Sequence, residues 1–206
     1  MSLAPYAPRF FPVVMPPSLA GTWRPFRGAD GTPKLLTRPG LSDQYAAMRG
    51  AFQHKALDII APEGAPIVAD DELEVLRTWV NVDATTGKRT TLAGTGVGAR
   101  SGNFIRARGV RDGLVRQFSH LRDPALVSPG ERVEAGRLMG YVGNTGRAGP
   151  MHLHFGMPAH NPYPELRALY DRGLWKLELH ADVRGWQLAA LATVTLACLG
   201  GVWLLT

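Results

Sequence analysis

The chain has 206 residues, of which 45% are apolar and 19% charged, and this globular composition excludes wholesale disorder. A single cysteine excludes an internal disulfide and a cysteine-rich zinc ribbon, so a bound metal would need histidine and carboxylate ligands. The net charge of +6 suits an anionic partner such as nucleic acid, acidic lipid or an acidic wall polymer, without choosing among them.

The first part of the chain, residues 1–45, is rich in proline, glycine and arginine and shows no hydrophobic period. Such a stretch predicts an irregular arm wrapped on the domain that follows. Five prolines between positions 5 and 17 would interrupt the apolar helix of a signal peptide, so no secretory signal is predicted.

The middle of the chain, residues 46–160, consists of short runs of β-forming residues separated by glycines. This spacing is typical of an antiparallel, mainly β domain and differs from the alternating strands and helices of a parallel sheet. Within this domain, the polar and glycine-rich stretch 84–102 predicts a long hairpin loop.

Two segments of different character follow, 161–185 and 186–206. The first has Pro164 at a plausible helix start and three apolar residues at helical spacing, which predicts a short helix and then a connector. The second carries no charged residue, and a helix of its length would cover about 30 Å, the thickness of a bilayer core. It predicts a C-terminal transmembrane helix. A buried core helix is the alternative, although such helices usually have a polar face.

The motif His152-Leu153-His154 places two histidines one residue apart. On a strand, residues with this spacing point to the same face, so both imidazoles would project into one site. Both could approach a metal ion, or one could bind the ion while the other transfers protons. Two ordinary structural histidines are the alternative interpretation of this motif.

His54 and Asp58 stand four residues apart, and imidazole and carboxylate groups are both zinc ligands. In a loop entering a strand they could converge on one ion, whereas on a helix they would form a routine surface pair. His120 ends an apolar run and, taken alone, indicates a structural histidine. A site of two histidines and one aspartate would leave a fourth position open for water, as in catalytic zinc sites, with further histidines available for proton transfer.

The order of these motifs resembles that of the lysostaphin-type (LytM-like) zinc endopeptidases. The resemblance covers about residues 50–157 and rests on H-x-x-x-D, an S-H-L on a strand, glycine-rich turns and H-L-H-F. It implies an antiparallel β core with the site in a groove between loops. It also implies hydrolysis of the short peptides that cross-link peptidoglycan, often at glycine or D-alanine bonds.

The same resemblance implies roles for individual residues. One zinc ion per chain would be bound by His54, Asp58 and His154. His120 and His152 match the two histidines of the family that do not bind the metal, and that deprotonate or orient the attacking water and stabilise the oxyanion.

The sequence departs from the family at two positions. The first motif usually reads H-x-G-x-D, and this chain has Ala56 in place of the glycine. We expect a minor backbone adjustment there, unless the position requires a positive φ. The acidic residue that is common after H-L-H-F is Gly156 here, which puts substrate contacts in doubt more than metal binding.

These features predict a membrane-tethered zinc metalloendopeptidase that hydrolyses peptidoglycan peptides and contacts the lipid bilayer through residues 186–206. The alternative is a catalytically inactive wall-binding or regulatory module on the same membrane anchor. Nucleic acid is not an expected partner, because no recognition motif accompanies the positive charge. His160 and His180 match no motif and are predicted to face solvent.

The sequence gives conflicting indications of the side of the membrane on which the catalytic domain lies. A C-terminal span without a signal peptide usually leaves the preceding domain in the cytoplasm, whereas the implied substrate lies outside the inner membrane. We therefore expect a membrane-anchored protein with its catalytic domain on the cell-envelope side, and the orientation stays open.

Overall fold

The structure is a computed structural model that describes residues 4–21, 26–27, 33–34, 37–41, 43–81, 100–148, 151–176, 180–181 and 188–189. The strands among these residues are β1 (Phe26–Arg27), β2 (Pro33–Lys34), β3 (Gly40–Leu41), β4 (Ala47–Arg49), β5 (Phe52–His54), β6 (Ala56–Ile60), β7 (Pro66–Val68), β8 (Leu73–Trp79), β9 (Asn103–Gly109), β10 (Val115–Leu121), β11 (Arg132–Val133), β12 (Leu138–Tyr141), β13 (His152–Gly156), β14 (His180–Ala181) and β15 (Leu188–Ala189). The helix α1 spans Tyr163–Asp171, and 3₁₀ turns span Pro17–Leu19 and Leu174–Lys176.

Seven strands form the central sheet in the order β11-β8-β9-β10-β13-β6-β3, and each neighbouring pair is antiparallel. A smaller sheet joins β12 to β7, also antiparallel. The predicted mainly β, antiparallel fold with one short helix is thus confirmed. Strands β8 and β9 are adjacent, so the chain between them connects a hairpin, but most of the predicted loop at 84–102 lies outside the described residues.

Alternation of side chains along the central strands separates an apolar face of the sheet from a polar face. On β6, Leu57 and Ile59 enter the hydrophobic core, and Asp58 between them points to the opposite face. On β13, Leu153 and Phe155 enter the same core. A slip of one residue would expose these apolar side chains, so the register that builds the polar face is strongly specified.

The N-terminal arm and α1 both contribute to this core. Phe11 and Val13 are fully buried, and Val13 forms a β-bridge with Ile67 of β7. Leu166 and Leu169 of α1 belong to the same hydrophobic cluster. This part of the arm is therefore packed into the domain, although its sequence shows no hydrophobic period.

A buried ionic cluster anchors β10 to the segment between β7 and β8. The guanidinium of Arg116 is fully buried and donates hydrogen bonds to Asp70 at 2.8 Å and to Asp112 at 2.6 Å. The Tyr6 hydroxyl donates to Asp70 at 3.1 Å, and the Tyr6 ring lies 5.0 Å from the guanidinium. Burial alone would lower the pKa of Arg116, but the two carboxylates outweigh it and raise the pKa, so the group stays charged.

The predicted membrane span lies almost entirely outside the described residues. Within 186–206 only Leu188–Ala189 are described, as β15, which pairs antiparallel with β14. No helix in the described part of the chain is long and apolar enough to cross a bilayer. The transmembrane helix therefore stays a prediction of the sequence.

Candidate metal centre

The structure brings all five predicted site residues into one cluster. His54 ends β5, Asp58 lies in β6, and both His152 and His154 lie in β13. The register of β6 and β13 places Asp58 directly opposite His154. His120 comes from β10, the neighbour of β13 on its other side. Side chains on one face of adjacent strands lie about 5 Å apart, so the polar face of the sheet assembles the cluster.

Three donor atoms of this cluster form a compact triangle. Nε2 of His54 lies 3.2 Å from Nδ1 of His154 and 3.3 Å from Oδ1 of Asp58, and the third edge is 3.0 Å. A tetrahedral zinc ion with bonds of about 2.0–2.2 Å holds its ligand atoms about 3.3–3.6 Å apart. Two imidazole nitrogens and one carboxylate oxygen are also a donor set suited to zinc. The residues present therefore fit the metal that the sequence predicts.

The orientation of His54 presents its Nε2 lone pair to the triangle. Its Nδ1 lies 3.2 Å from the backbone oxygen of Gln44, an acceptor, which selects the tautomer with the proton on Nδ1. Contacts of this kind orient histidine ligands in metal sites. Burial lowers the pKa of His54, which favours the neutral form that metal binding requires.

Arg49 is a site residue that the sequence does not reveal. Its Nη2 donates hydrogen bonds to Oδ2 of Asp58 at 2.5 Å and to the side-chain oxygen of Gln44 at 2.8 Å. The other carboxylate oxygen, Oδ1, faces the histidines. Burial would raise the pKa of Asp58, but hydrogen bonds from His154 and Arg49 and the neighbouring His152 outweigh it and lower the pKa. Arg49 lies on β4, outside every motif, and enters the site through the β4–β5 hairpin.

His120 reaches the cluster through an irregularity in β10. Its φ is +65°, which non-glycine residues rarely adopt, and the pairing with β9 shifts between Ser119 and Leu121. Its ring lies 4.8 Å from that of His152. Its Nδ1 donates a hydrogen bond to the carbonyl oxygen of Thr145 at 2.8 Å, so Nε2 is the acceptor nitrogen of the neutral ring. Burial and the neighbouring His152 lower the pKa of His120 to about 4.

Two loops, 100–102 and 144–147, pack backbone against backbone and hold His120 in place. The His120 N–H donates to the carbonyl oxygen of Ser101 at 2.9 Å. The Thr145 hydroxyl donates to the carbonyl oxygen of Leu121 at 2.7 Å and accepts from the Asn103 N–H at 2.9 Å. Gly102 has φ +64°, and a Cβ there would lie 2.3 Å from the Thr145 carbonyl group. Only glycine permits this close approach.

Replacing Gly102 by alanine is expected to lower the free energy of unfolding by about 2 kcal/mol or more, because the added Cβ would displace the Thr145 carbonyl. Gly130→Ala is the matched control, since its φ is +84° and a Cβ there meets nothing within 4 Å. The control should lose only about 1 kcal/mol, for the positive φ alone. Urea unfolding measures both losses. Equal losses in the two variants would contradict a special role for the close approach.

His154 belongs to two groups of residues whose donor atoms could meet at one ion. One group is His54, Asp58 and His154, and the other is His120, His152 and His154. The second group consists of three histidines and has no carboxylate. The first group combines a carboxylate with the compact triangle, and it is therefore the better candidate for a dication.

The cluster opens into a cavity of about 460 Å³, within the range of about 300–1,000 Å³ found for ligand sites. The residues that line it are Arg49, His54, Arg100, Ser101, His120, Arg147, His152 and His154. Arginines and histidines thus make up most of the lining, and among the described residues no acidic side chain lines the cavity. The cavity is suited to a ligand that accepts hydrogen bonds.

The model of peptidase family M23 matches residues 52–163, just over half of the chain, and the match includes all five residues of the cluster. The chain belongs to peptidase family M23. The resemblance to the lysostaphin-type peptidases, which the motifs indicate, is thereby confirmed.

Three solved structures are similar to this M23 chain. A protein assigned as the glycyl-glycine endopeptidase LytM from Ruminococcus gnavus matches with a TM-score of 0.55 at 22% identity, over 80% of this chain and 61% of that protein. The catalytic domain of lysostaphin from Staphylococcus simulans matches with a TM-score of 0.48 at 20% identity, over 63% of this chain and 92% of that domain. A zinc-containing peptidase from Vibrio cholerae has a TM-score of 0.44 at 19% identity, over 68% of this chain and 42% of that protein.

Neither departure of this M23 chain from the usual motifs strains its backbone. Ala56 lies in β6, and among the described residues only Ala46 and His120 combine a side chain with a positive φ. A Cβ added at Gly156 would make only ordinary van der Waals contacts, and it would lie 3.8 Å from Nε2 of His154. Position 156 therefore adjoins a candidate metal ligand, so the departure there concerns the metal centre as well as the substrate.

His160 lies outside the cluster and is partly exposed, so it faces solvent as predicted with only part of its side chain. Its ring packs against the Tyr6 ring at 5.1 Å, and its Nε2 lies 3.1 Å from a carboxylate oxygen of Glu165. The side chain of His180 lies outside the described part of the structure.

Proposed function

We propose that this M23 peptidase hydrolyses the peptide cross-links of peptidoglycan and holds one zinc ion per chain through His54, Asp58 and His154. The observation that carries the metal assignment is the triangle of donor atoms, with edges of 3.0–3.3 Å, beside the cavity. A zinc ion, when bound, supplies a Lewis acid for a carbonyl oxygen and lowers the pKa of water to about 7. The peptidoglycan substrate rests on the resemblance to the lysostaphin-type enzymes.

His120 and His152 are the groups proposed to move protons. Because Nδ1 of His120 donates to Thr145, its Nε2 can accept a proton from the attacking water. Once protonated, it can donate a hydrogen bond to the oxyanion and then pass the proton to the leaving amine as the C–N bond breaks. Nε2 of His152 lies 3.5 Å from Oδ1 of Asp58, which keeps this second imidazole beside the ligand set. Arg49 supports the site by binding Oδ2 of Asp58 and leaving Oδ1 to the metal.

The test is digestion of purified peptidoglycan, followed by mass spectrometry of the released fragments. The zinc-loaded chain is expected to release muropeptides with a new amino and a new carboxyl terminus. Removing the metal with a chelator should stop the release, and adding zinc should restore it. Tight binding to the wall without any release by zinc-loaded protein would overturn the proposal and favour the inactive wall-binding module.

Gly156→Asp is expected to raise the affinity for zinc by about tenfold. An aspartate carboxylate at position 156 can accept a hydrogen bond from Nε2–H of His154, and such outer contacts are worth about 10–100-fold in metal affinity. Gly156→Ala is the control, because it adds the Cβ without the carboxylate. Competition with a chromophoric chelator measures the affinity. If the alanine and aspartate variants bind zinc equally, the expected contact with His154 does not form.

Tethering to a membrane through residues 186–206 is the remaining part of the proposal and rests on the sequence alone. Deletion of this segment is expected to move the protein from the membrane fraction to the soluble fraction, because the segment has no charged residue to oppose insertion. Fractionation of cells that express either form measures this shift, and protease accessibility in spheroplasts locates the catalytic domain. An unchanged distribution after the deletion would contradict the tether.

A further inference from the structure

Three arginines line the cavity, and they differ in what they contact. Arg49 is bonded to Asp58 and Gln44. Arg100 and Arg147 have exposed side chains and form no ion pair with any carboxylate of the described residues. Arg100 and Arg147 are therefore the cavity arginines whose charge is available to a ligand.

The backbone fixes these two arginines relative to each other. The Arg147 N–H donates a hydrogen bond to the carbonyl oxygen of Arg100 at 3.0 Å. At Gly146 a Cβ would lie 2.3 Å from the Gly102 nitrogen, so the two loops touch without intervening side chains. The backbones of Arg100 and Arg147 therefore have a defined spacing at one edge of the cavity.

The same loops hold His120. Ser101, next to Arg100, accepts the His120 N–H, and Thr145, two residues before Arg147, accepts from the His120 ring. Both arginines are therefore attached to the loops that position the imidazole proposed to move protons. Fixed geometry of this kind is what substrate positioning requires.

We propose that Arg100 and Arg147 bind a free carboxylate of the substrate peptide near the scissile bond, and so make this chain selective for acidic peptides. The proposal rests on the proposed function and names the substrate class of the same site. A guanidinium pairs with a carboxylate through two parallel N–H···O bonds, which gives geometric specificity as well as attraction. A cross-bridge made only of glycine offers no side-chain carboxylate, so it is not the substrate that this cavity favours.

The experiment compares two substrates from one batch of cross-linked muropeptides. One keeps its native carboxylates, and the other has them converted to primary amides with carbodiimide and ammonium. The zinc-loaded full chain is expected to cleave the native form with a KM about tenfold or more below that of the amidated form. Arg100→Gln and Arg147→Gln should each raise KM for the native form about tenfold and leave KM for the amidated form within twofold.

Arg106→Gln is the matched control, because Arg106 is an exposed arginine of β9 that does not line the cavity. It removes the same charge and should leave both KM values within twofold. Equal weakening by Arg106→Gln would overturn the proposal in favour of general attraction to a basic protein. Equal cleavage of the two substrates by the wild type would also overturn it and leave the peptidase activity standing.

A binding measurement separates failure of this inference from failure of the proposed function. Fluorescence anisotropy of both muropeptide forms, after labelling, reports their affinity whether or not they are cleaved. If the wild type binds the native form about tenfold more tightly than the amidated form, and Arg147→Gln abolishes this difference, the carboxylate site is supported even without hydrolysis. Equal affinities would reject it.

Discussion

Replacing His154 with alanine is expected to remove both the bound zinc and the peptidase activity. Nδ1 of His154 closes the donor triangle, at 3.2 Å from His54 and 3.0 Å from Asp58. Changes outside the ligand shell already cost about 10–100-fold in metal affinity or activity, and loss of a ligand should cost more. His120→Ala should behave differently, because this residue is proposed to move protons and not to bind the metal. It should keep one zinc per chain and lose most of the activity.

Metal content, muropeptide release and thermal unfolding, measured for each variant, test these two expectations. His160→Ala is the control, since this half-buried histidine lies outside the cluster and should keep zinc and activity. The unfolding curve shows whether a variant is folded, so loss of metal is not confused with loss of structure. A folded His154→Ala protein that keeps one zinc per chain and full activity would contradict the assignment.

Replacing Arg116 with methionine is expected to lower the free energy of unfolding by about 3–5 kcal/mol. The side chain is fully buried, and its removal leaves the carboxylates of Asp70 and Asp112 in the core without their counter-charge. The Tyr6 ring, 5.0 Å from the guanidinium, also loses its cation, so the N-terminal arm is held less firmly. A loss of this size is a large fraction of the stability of an ordinary domain, whose free energy of unfolding is about 5–15 kcal/mol.

Urea unfolding measures this effect, and Arg106→Met is the control. Arg106 is exposed on the adjacent strand, so its replacement should change the free energy of unfolding by less than about 0.5 kcal/mol. If Arg116→Met does not fold at all, Asp112→Asn gives a milder version of the same test, because it removes one carboxylate and keeps the guanidinium. Adding Asp112→Asn to Arg116→Met should recover part of the loss, since one unpaired buried charge is then absent. A loss below about 1 kcal/mol in Arg116→Met would contradict a stabilising role for the cluster.

The sequence predicted those parts of the site that follow from local periodicity and motif order. The pleat of a strand puts His152 and His154 on one face, and the family resemblance paired them with His54 and Asp58. The antiparallel β core and the short helix followed from the spacing of turns and apolar residues. Each of these inferences depends on neighbours in the chain or on a fixed motif.

The remaining features depend on contacts between distant parts of the chain. Arg49 enters the site only through the β4–β5 hairpin and belongs to no motif. The positive φ of His120 depends on a shift in pairing between β9 and β10, which no residue pattern marks. Val13 is buried through a bridge to Ile67, although the arm has no hydrophobic period.

The most direct test of the central claim is the location of the metal in crystals of the zinc-loaded protein, from anomalous diffraction on both sides of the zinc absorption edge. We expect one zinc peak per chain, bonded to Nε2 of His54, Oδ1 of Asp58 and Nδ1 of His154. A peak among His120, His152 and His154 instead, or no peak at this cluster, would contradict the account.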